Sequence, residues 1–186
     1  MTIAIVSSYW EFECVRQGKV VWKRGYHNLV TVAGLNKLLD ATFKTGLATP
    51  AWYVGLTDAT PTFAAADTMG SHAGWTENVS YGESTREVLT LGTIASGSVS
   101  NSASKASFTI NAATSVSGAF LTDSDTKSGT TGTLYSEVAF TGGTETLASA
   151  DVLNVTVTLT AQSGAAVSAS TGFMPIKEEA FGLFHP

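Results

Sequence analysis

The sequence predicts a mainly β protein, an antiparallel β-sandwich of the Ig-like or jelly-roll-like kind with one short helix. Residues 105–161 contain four runs in which apolar and polar residues alternate, each closed by Gly, Ser, Thr, Asn or Asp. The last run is the clearest, because Leu153, Val155, Val157 and Leu159 alternate with Asn and Thr. Residues two apart share one face of a strand, so this pattern favours half-buried strands over a helix. Several such runs separated by turn residues are typical of antiparallel sheets packed face to face.

The composition supports one domain and argues against several classes of function. The chain has 186 residues, of which 44% are hydrophobic and only 13% are charged, about half the usual charged share of roughly 25%. Sparse charge indicates that another protein covers part of the surface. A net charge of −5 without a basic run argues against nucleic-acid binding. The one cysteine, Cys14, excludes an internal disulfide framework, and its place in an alternating run indicates a core thiol.

The N-terminal region lacks the features of an export signal. Residues 3–6 form a short apolar run with no basic residue before it, which is not the pattern of a secretory signal. No stretch of the sequence approaches the ~18 apolar residues of a membrane span. We therefore expect synthesis in a cytoplasm and no membrane partner.

The first elements of the chain are predicted to form a hairpin. In residues 8–16, Trp10, Phe12 and Cys14 alternate with two glutamates, which indicates a strand with one buried face. Residues 19–26 return after a Gln-Gly turn, so a short glycine-containing loop connects the two strands.

A single amphipathic helix is predicted near residues 32–44. Thr31 is the expected N-cap and Gly46 the expected terminator. One apolar stripe follows the helical spacing and consists of Leu35, Leu38, Leu39 and Phe43. The stripe either binds a partner or packs the helix against one end or edge of the sheet. A lone amphipathic helix favours packing against the sheet.

The middle of the chain is predicted to alternate between strands and loops. Residues 51–57 form a strand, and after a proline-containing loop Asp67 is placed to cap a single helical turn. Residues 87–91 form the next strand. The Ser-, Gly- and Ala-rich residues 92–104 are either a flexible linker or a small-residue strand with a turn. We favour the strand, because the runs on either side need sheet partners.

No candidate metal site satisfies the ligand spacing that a metal requires. His72 has no second histidine nearby in the sequence, so a structural role is favoured over a ligand or general base. Asp123 and Asp125 resemble the start of a calcium loop. Lys127 then occupies the position of the third ligand and Leu134 that of the final glutamate. We therefore predict a solvated hairpin loop, no metal and no cofactor.

No catalytic constellation is apparent either, so no catalytic residue is assigned. The sequence lacks a nucleophile elbow, a P-loop and a dinucleotide fingerprint. A carboxylate pair acting on a glycosidic bond remains an open alternative; the scattered candidates are Glu77, Glu83, Glu87, Glu137 and Glu145. The aromatic residues Tyr53, Trp75 and Tyr81 are interpreted as core residues in preference to sugar-binding ones.

The C-terminal region departs from the strand pattern. We predict one β-sandwich domain with an N-terminal arm over residues 1–161, then a flexible spacer and an apolar arm over residues 162–186. A tail this apolar is expected to be covered by protein, either by its own domain or, as we favour, by a neighbouring subunit. The candidate partner-binding residues are Phe173, Met174, Ile176, Phe181, Leu183 and Phe184.

Several short segments, spread over about residues 28–153, resemble a family of small virion structural proteins of tailed bacteriophages. Their order and spacing carry the resemblance, and none is a catalytic motif. The segments are Asn28-Leu29-Val30, Gly34-Leu35-Asn36-Lys37-Leu38-Leu39, Tyr53-Val54-Gly55-Leu56, Asp67-Thr68-Met69, Ser71-His72-Ala73-Gly74-Trp75, Tyr81 with Arg86, Val116-Ser117-Gly118-Ala119-Phe120-Leu121 and Asp151-Val152-Leu153.

The resemblance implies a non-enzymatic component of the virion. Our first hypothesis is a capsid decoration or cement protein, made in the host cytoplasm, that binds the major capsid protein on the outside of the assembled head. The terminal arms, including residues 1–7, would cross subunit boundaries, and a homo-oligomer such as a dimer or trimer is expected. The alternative is a tail, neck or fibre-associated virion protein that adsorbs to host glycans. A small hydrolase acting on cell-surface polysaccharide is the third hypothesis.

Overall fold

The structure, a computed structural model, describes residues 4–44, 51–58 and 61–163. Within them the chain is mainly β, with antiparallel sheets and one short helix, as the sequence predicts. The elements in chain order are β1 (Ala4–Arg16), β2 (Lys19–His27), β3 (Leu29–Val30), α1 (Val32–Phe43), β4 (Tyr53–Thr57), β5 (Glu77–Asn78), β6 (Glu87–Val88), β7 (Ser98–Ser100), β8 (Ala106–Thr109), β9 (Thr114–Val116), β10 (Gly118–Thr122), β11 (Leu134–Ala139), β12 (Glu145–Leu147) and β13 (Val152–Ser163).

Two antiparallel sheets form the sandwich. The first runs β2-β1-β13-β7, and β8 also pairs with β13. The second runs β3-β11-β10-β4-β5, and β6 also pairs with β4. A small third sheet joins β9 to β12. The longest pairing joins the first strand of the chain to the last, from Ala4 opposite Ser163 to Val15 opposite Val152.

The main core lies between the two large sheets. The alternation predicts its membership well, because the inward residues of β1 and β13 are fully buried while their neighbours are more exposed. Aromatic side chains fill its centre, where Phe140 contacts Phe12 edge-on and stacks on Tyr26. The strand residues of this core include Trp10, Phe12, Cys14, Val54, Leu56, Phe108, Ala119, Leu121, Val138, Leu153, Val155 and Val157.

The second sheet is also covered on its other face. All five residues of β10 are buried, and Phe120 belongs to a separate core cluster with Leu134, Met69 and Trp75. Met69 and Trp75 come from residues 61–76, which we call the loop layer. Gly55 lies beneath Phe120, where an added Cβ atom would lie 2.2 Å from the ring. The loop layer therefore makes a third layer over the second sheet.

The predicted N-terminal hairpin is present, but its first strand is longer than expected. Gln17 and Gly18 turn the chain with φ angles of 50° and 74°, the conformation that a tight two-residue hairpin loop requires. The strand begins at Ala4 and not at residue 8, so residues 4–7 of the predicted N-terminal arm belong to the sheet. At its other end the sheet extends to Ser163, two residues beyond the predicted domain boundary.

The predicted helix is present, and it packs on the second sheet through an unexpected face. The Thr31 side chain caps it by accepting a hydrogen bond from the Gly34 N–H at 3.0 Å. Gly34 faces β11, and an added Cβ atom would lie 2.3 Å from the carbonyl oxygen of Tyr135. The expected terminator, Gly46, lies outside the described residues. No helix in the described part of the chain is long and apolar enough to cross a membrane.

Three local predictions need correction. The run over residues 116–121 is broken at Ser117, so it supplies β9 to the small sheet and β10 to the second sheet. Residues 67–75 contain no helical turn; Thr68 and Ser71 instead exchange backbone hydrogen bonds across a tight turn. The strand predicted over residues 87–91 ends after Val88. In contrast, the small-residue segment does supply β7, which pairs with β13.

Candidate functional site

A buried arginine joins the loops that cover the second sheet. The Arg86 side chain is fully buried and forms a bidentate ion pair with Glu77, with N–O distances of 2.8 and 2.7 Å. It also donates to the carbonyl oxygens of Ser124 and Gly129 at 2.9 and 3.1 Å. Its guanidinium carbon lies 5.1 Å from the centre of the Phe120 ring. One side chain thus holds two loops on a strand of the second sheet.

A buried carboxyl group anchors the loop layer nearby. Glu137 is fully buried on β11, and its Oε1 accepts a hydrogen bond from the Trp75 indole N–H at 2.8 Å. Burial, and then the negative charge of Asp67, raises the pKa of Glu137 to about 8. The carboxyl group is therefore mostly protonated at neutral pH. We call Arg86, Glu77, Glu137 and Trp75 the anchoring network.

The ionisable groups beside the loop layer make structural contacts. Both oxygens of Glu77 are engaged by Arg86, and Oε2 also accepts from the backbone N–H of Ser128 at 2.7 Å. His72 stacks on Trp75 with ring centres 3.8 Å apart, and its Nδ1 lies 3.2 Å from the Trp75 carbonyl oxygen. A depression of about 240 Å³ borders these residues, and both Glu77 and His72 line it. These contacts hold the loops around Trp75 and Ser128 in place.

The loop predicted to be solvated has a structural role at its base. The Asp123 Oδ1 accepts a hydrogen bond from the Thr133 N–H at 2.5 Å, which closes the loop. Its Oδ2 lies 3.9 Å from the Lys37 ammonium on α1. No group of three or more His, Cys, Asp or Glu side chains among the described residues is arranged to hold a metal ion.

Two side chains of β1, Arg16 and Cys14, contact the Asp151 carboxylate just before β13. Asp151 is fully buried and accepts two hydrogen bonds of 2.7 Å from Arg16. The Arg16 hydrogen bonds lower the Asp151 pKa to about 2. The Cys14 thiol contacts Asp151 at 3.6 Å, and burial raises its pKa to about 11. A thiol with so raised a pKa is a poor nucleophile at neutral pH.

The aromatic residues considered for sugar binding are mostly buried. Trp75 is 5% exposed and Tyr81 is 1% exposed, so neither presents a ring face to solvent. Tyr53 is half-buried within β4. The described aromatic residues named for this role therefore pack within the protein.

Two leucines of the predicted stripe of α1 are exposed, although the favoured interpretation places the stripe against the sheet, and Leu38 is half-buried. Leu35 and Leu39 are 40% and 54% exposed, and Val32 beside them is 51% exposed. The helix packs through Gly34, whose missing side chain allows the backbones of α1 and β11 to approach closely. We call Val32, Leu35 and Leu39 the apolar face. Nothing in the described part of the chain covers it.

An apolar groove lies beside this face. Its volume is about 330 Å³, and no charged side chain is among the described residues that line it. Leu38 lines the groove and is a neighbour of Leu35 on the helix surface, being three residues further on. The apolar face therefore continues into the groove, whose main lining side chains are Val6, Leu38, Ile94, Val99, Tyr135 and Leu159.

The predicted partner-binding residues of the tail, from Phe173 to Phe184, lie outside the described residues. Partner binding by the helix stripe was the less favoured alternative in the sequence, because an apolar stripe at helical spacing predicts burial equally well; the groove was not predicted. Gly34 was the available signal: a glycine inside a helix marks a close backbone approach, which directs the helix to pack on that side.

Comparison with known proteins gives no relative: no family model matches the sequence, and no curated protein matches it.

Proposed function

We propose that this chain is a non-enzymatic structural protein of a tailed-bacteriophage virion, most simply a capsid decoration protein. It would bind the major capsid protein on the assembled head in many copies and hold neighbouring subunits together. Homo-oligomers, dimers or trimers, would form about a closed axis.

The observation that carries the proposal is the exposed apolar face on α1. Three large aliphatic side chains, each 40% to 54% exposed, form one surface on a helix that is fixed to a rigid sheet. A contiguous apolar surface on a protein with few charges favours a protein partner over free solvent. Helix-in-groove docking is one of the common ways such a face is used.

The anchoring network supports a structural role for the residues that carry the resemblance. Asp67, Trp75 and Arg86 belong to the shared segments, and here they take part in holding loops on the second sheet. Because residues of the resembling segments hold loops on the sheet, the resemblance is best explained by a common fold. The carboxyl groups considered for hydrolysis include Glu77 and Glu137, which are engaged in that network and do not converge on an open cleft.

Mass action explains how such binding would stabilise a shell. A protein that binds only the assembled form stabilises it by RT ln(1 + [L]/Kd), about 2.7 kcal/mol per site at a hundredfold excess over Kd. Many sites per particle multiply this contribution. A rigid sandwich with a preformed apolar face keeps the ordering cost of binding low.

Copy number is the first test. Quantitative gel densitometry of purified particles of the phage that encodes this chain should give hundreds of copies per virion. Particles that lack the chain should rupture at a lower temperature and recover when purified protein is added back. A few copies per particle, or identical rupture temperatures, would contradict a decoration role.

A pair of matched variants tests the apolar face itself. Leu39→Lys places a charge on the face, and we expect at least tenfold weaker binding to particles that lack the chain. Val20→Lys is the control, because Val20 on β2 is equally exposed at 56% and lies outside the face. Equal binding by both variants would place the contact elsewhere on the protein.

A tail, neck or fibre location is the alternative outcome of the copy-number measurement. Its glycan-binding part gains no support from Trp75 and Tyr81, because both are buried.

A further inference from the structure

The apolar groove is built from several separate parts of the chain. Val6 comes from β1, Leu38 from α1, Tyr135 from β11 and Leu159 from β13, and the segment around Ile94 and Val99 closes one side. Ile94 is 74% exposed, the most exposed large apolar side chain in the described part of the chain. These side chains surround an apolar space that is open to solvent, which indicates that another apolar group fills it.

We propose that the groove is the docking site for residues 173–186 of the same chain. The first support is where the chain leaves the sandwich. Thr160 and Ala161 line the groove, and β13 ends two residues later at Ser163. The polypeptide therefore continues from the rim of the groove.

The composition of the segment matches the lining. Residues 173–186 carry six large apolar side chains, and their charged residues are Lys177, Glu178 and Glu179. The groove presents aliphatic side chains and one tyrosine, with no charged residue among the described lining. Burying one or two of the large side chains in the groove would favour docking, because apolar surface is removed from water.

The length of the connection favours the same chain over a second copy. The nine residues 164–172 are mostly Gly, Ala and Ser, and a linker of this kind spans about 15–18 Å on average and about 30 Å at full extension. The groove begins at Ala161, well within that distance. A short tether of this kind gives an effective concentration of about millimolar. Intramolecular docking therefore prevails over exchange between copies at micromolar protein.

Disulfide capture tests the proposal directly in the full chain. Ile94→Cys is combined in turn with Phe173→Cys, Ile176→Cys, Phe181→Cys or Phe184→Cys, and each protein is oxidised at micromolar concentration. Cys14 does not interfere, because it is buried and its pKa is raised. We expect at least one pair to give a cross-linked monomer on a non-reducing gel. Val20→Cys with the same tail variants is the control and should give none.

Two results of the capture experiment would overturn the proposal. A cross-linked dimer in place of a monomer would show that a second copy supplies the segment. The absence of any cross-link above the Val20→Cys background would show that the groove does not receive it.

Hydrogen exchange gives an independent measurement that needs no new bond. In the full chain, the amides of residues 173–186 should exchange at least tenfold more slowly than in Ile94→Asp, whose substitution charges the rim of the groove. Val20→Asp should leave their exchange unchanged. Because Ile94 and Val20 are both exposed, both variants are expected to fold. Equal exchange in all three proteins would contradict docking, and none of these readouts depends on binding to a virion.

Discussion

The anchoring network and the apolar face of α1 use their residues in opposite ways. In the anchoring network, charged and polar groups are buried: Arg86 and Glu77 are buried against each other, and Glu137 is buried under Trp75. On α1, apolar side chains are open: Leu35 and Leu39 are 40% and 54% exposed. The usual distribution of polar and apolar residues is reversed in both places.

The difference between the two regions separates the residues that stabilise the fold from those that are available to bind a partner. Residue types that are typical of chemistry, such as Arg86, Glu77 and His72, hold loops on a sheet. Residue types that are typical of a core, such as Leu39, face outward and are available for contact. A change in the anchoring network should therefore affect folding first, and a change on the apolar face should affect binding first.

The largest effect is expected from Arg86→Ala. The substitution leaves the Glu77 carboxylate buried without its counter-ion, so we expect a loss of about 3–5 kcal/mol of unfolding free energy in urea denaturation. Lys23→Ala is the control, because Lys23 and its partner Glu11 are 54% and 37% exposed and such pairs contribute about 0–1 kcal/mol. A loss below that of the control would show that the loops are held by other contacts.

The next effect is a pH dependence that arises from Glu137. Its folded pKa of about 8 lies above its ordinary value of 4.5, so the fold favours the protonated form. This contribution to stability is complete below pH 4.5 and is lost as the pH rises to about 8. The lowered pKa of Asp151 acts in the opposite direction and only below pH 3.8, so the two windows do not overlap.

Glu137→Gln separates this contribution from the rest of the titration. The amide oxygen can still accept from the Trp75 indole and the amide N–H can donate towards Asp67, but the group no longer titrates. Urea denaturation between pH 5 and pH 9 should give a smaller decline in stability for the variant than for the wild type. Parallel curves would contradict the assignment.

A smaller effect is expected from Gly34→Ala, which tests why the helix turns its stripe outward. Alanine normally stabilises a helix by about 1 kcal/mol relative to glycine. Here the added Cβ atom would lie 2.3 Å from the Tyr135 carbonyl oxygen, and overpacking costs typically about 1–3 kcal/mol. We expect a net loss of about 1–2 kcal/mol in thermal or urea denaturation. Asn36→Ala, at an exposed helix position, should be neutral or slightly stabilising.

The smallest effect on stability is expected from Leu39→Lys. Leu39 is 54% exposed, and substitutions at exposed sites usually change the unfolding free energy by less than about 0.5 kcal/mol. The variant should therefore melt within about two degrees of the wild type, while its binding to shells is lost. A large drop in melting temperature would show that the apolar face is part of the core.

Much of the fold could be predicted from the sequence, because a strand with one buried face repeats every two residues. The strands around Trp10, Phe12 and Val155 were found in this way, and Thr31 and the Gln17-Gly18 turn marked their elements by side-chain chemistry and backbone freedom. Sheet assignment could not be predicted. The break at Ser117 places the two halves of one alternating run in different sheets. No local pattern in the sequence indicates which strand will pair with each half.

The candidate site could be predicted less well than the fold. The anchoring network joins residues up to 62 positions apart, such as Trp75 and Glu137, and sequence spacing does not reveal such pairs. The ion pair of Asp151 could not be predicted either, because its partner, Arg16, is 135 positions away. The helix was placed correctly, but the face it packs on the sheet includes Gly34, which approaches β11 closely, and spacing of apolar residues did not indicate that face.

The pairing of the first strand with the last has a consequence for biosynthesis. Ala4 lies opposite Ser163 and Trp10 lies opposite Val157. β1 therefore cannot pair with β13 until the chain has been synthesised as far as β13. Contacts this distant in sequence slow folding, since a large loop must close before they form. The nascent β1–β2 hairpin therefore leaves the ribosome with Trp10 and Phe12 exposed to solvent. Until β13 is synthesised, chaperones would bind this hairpin or it would misassemble.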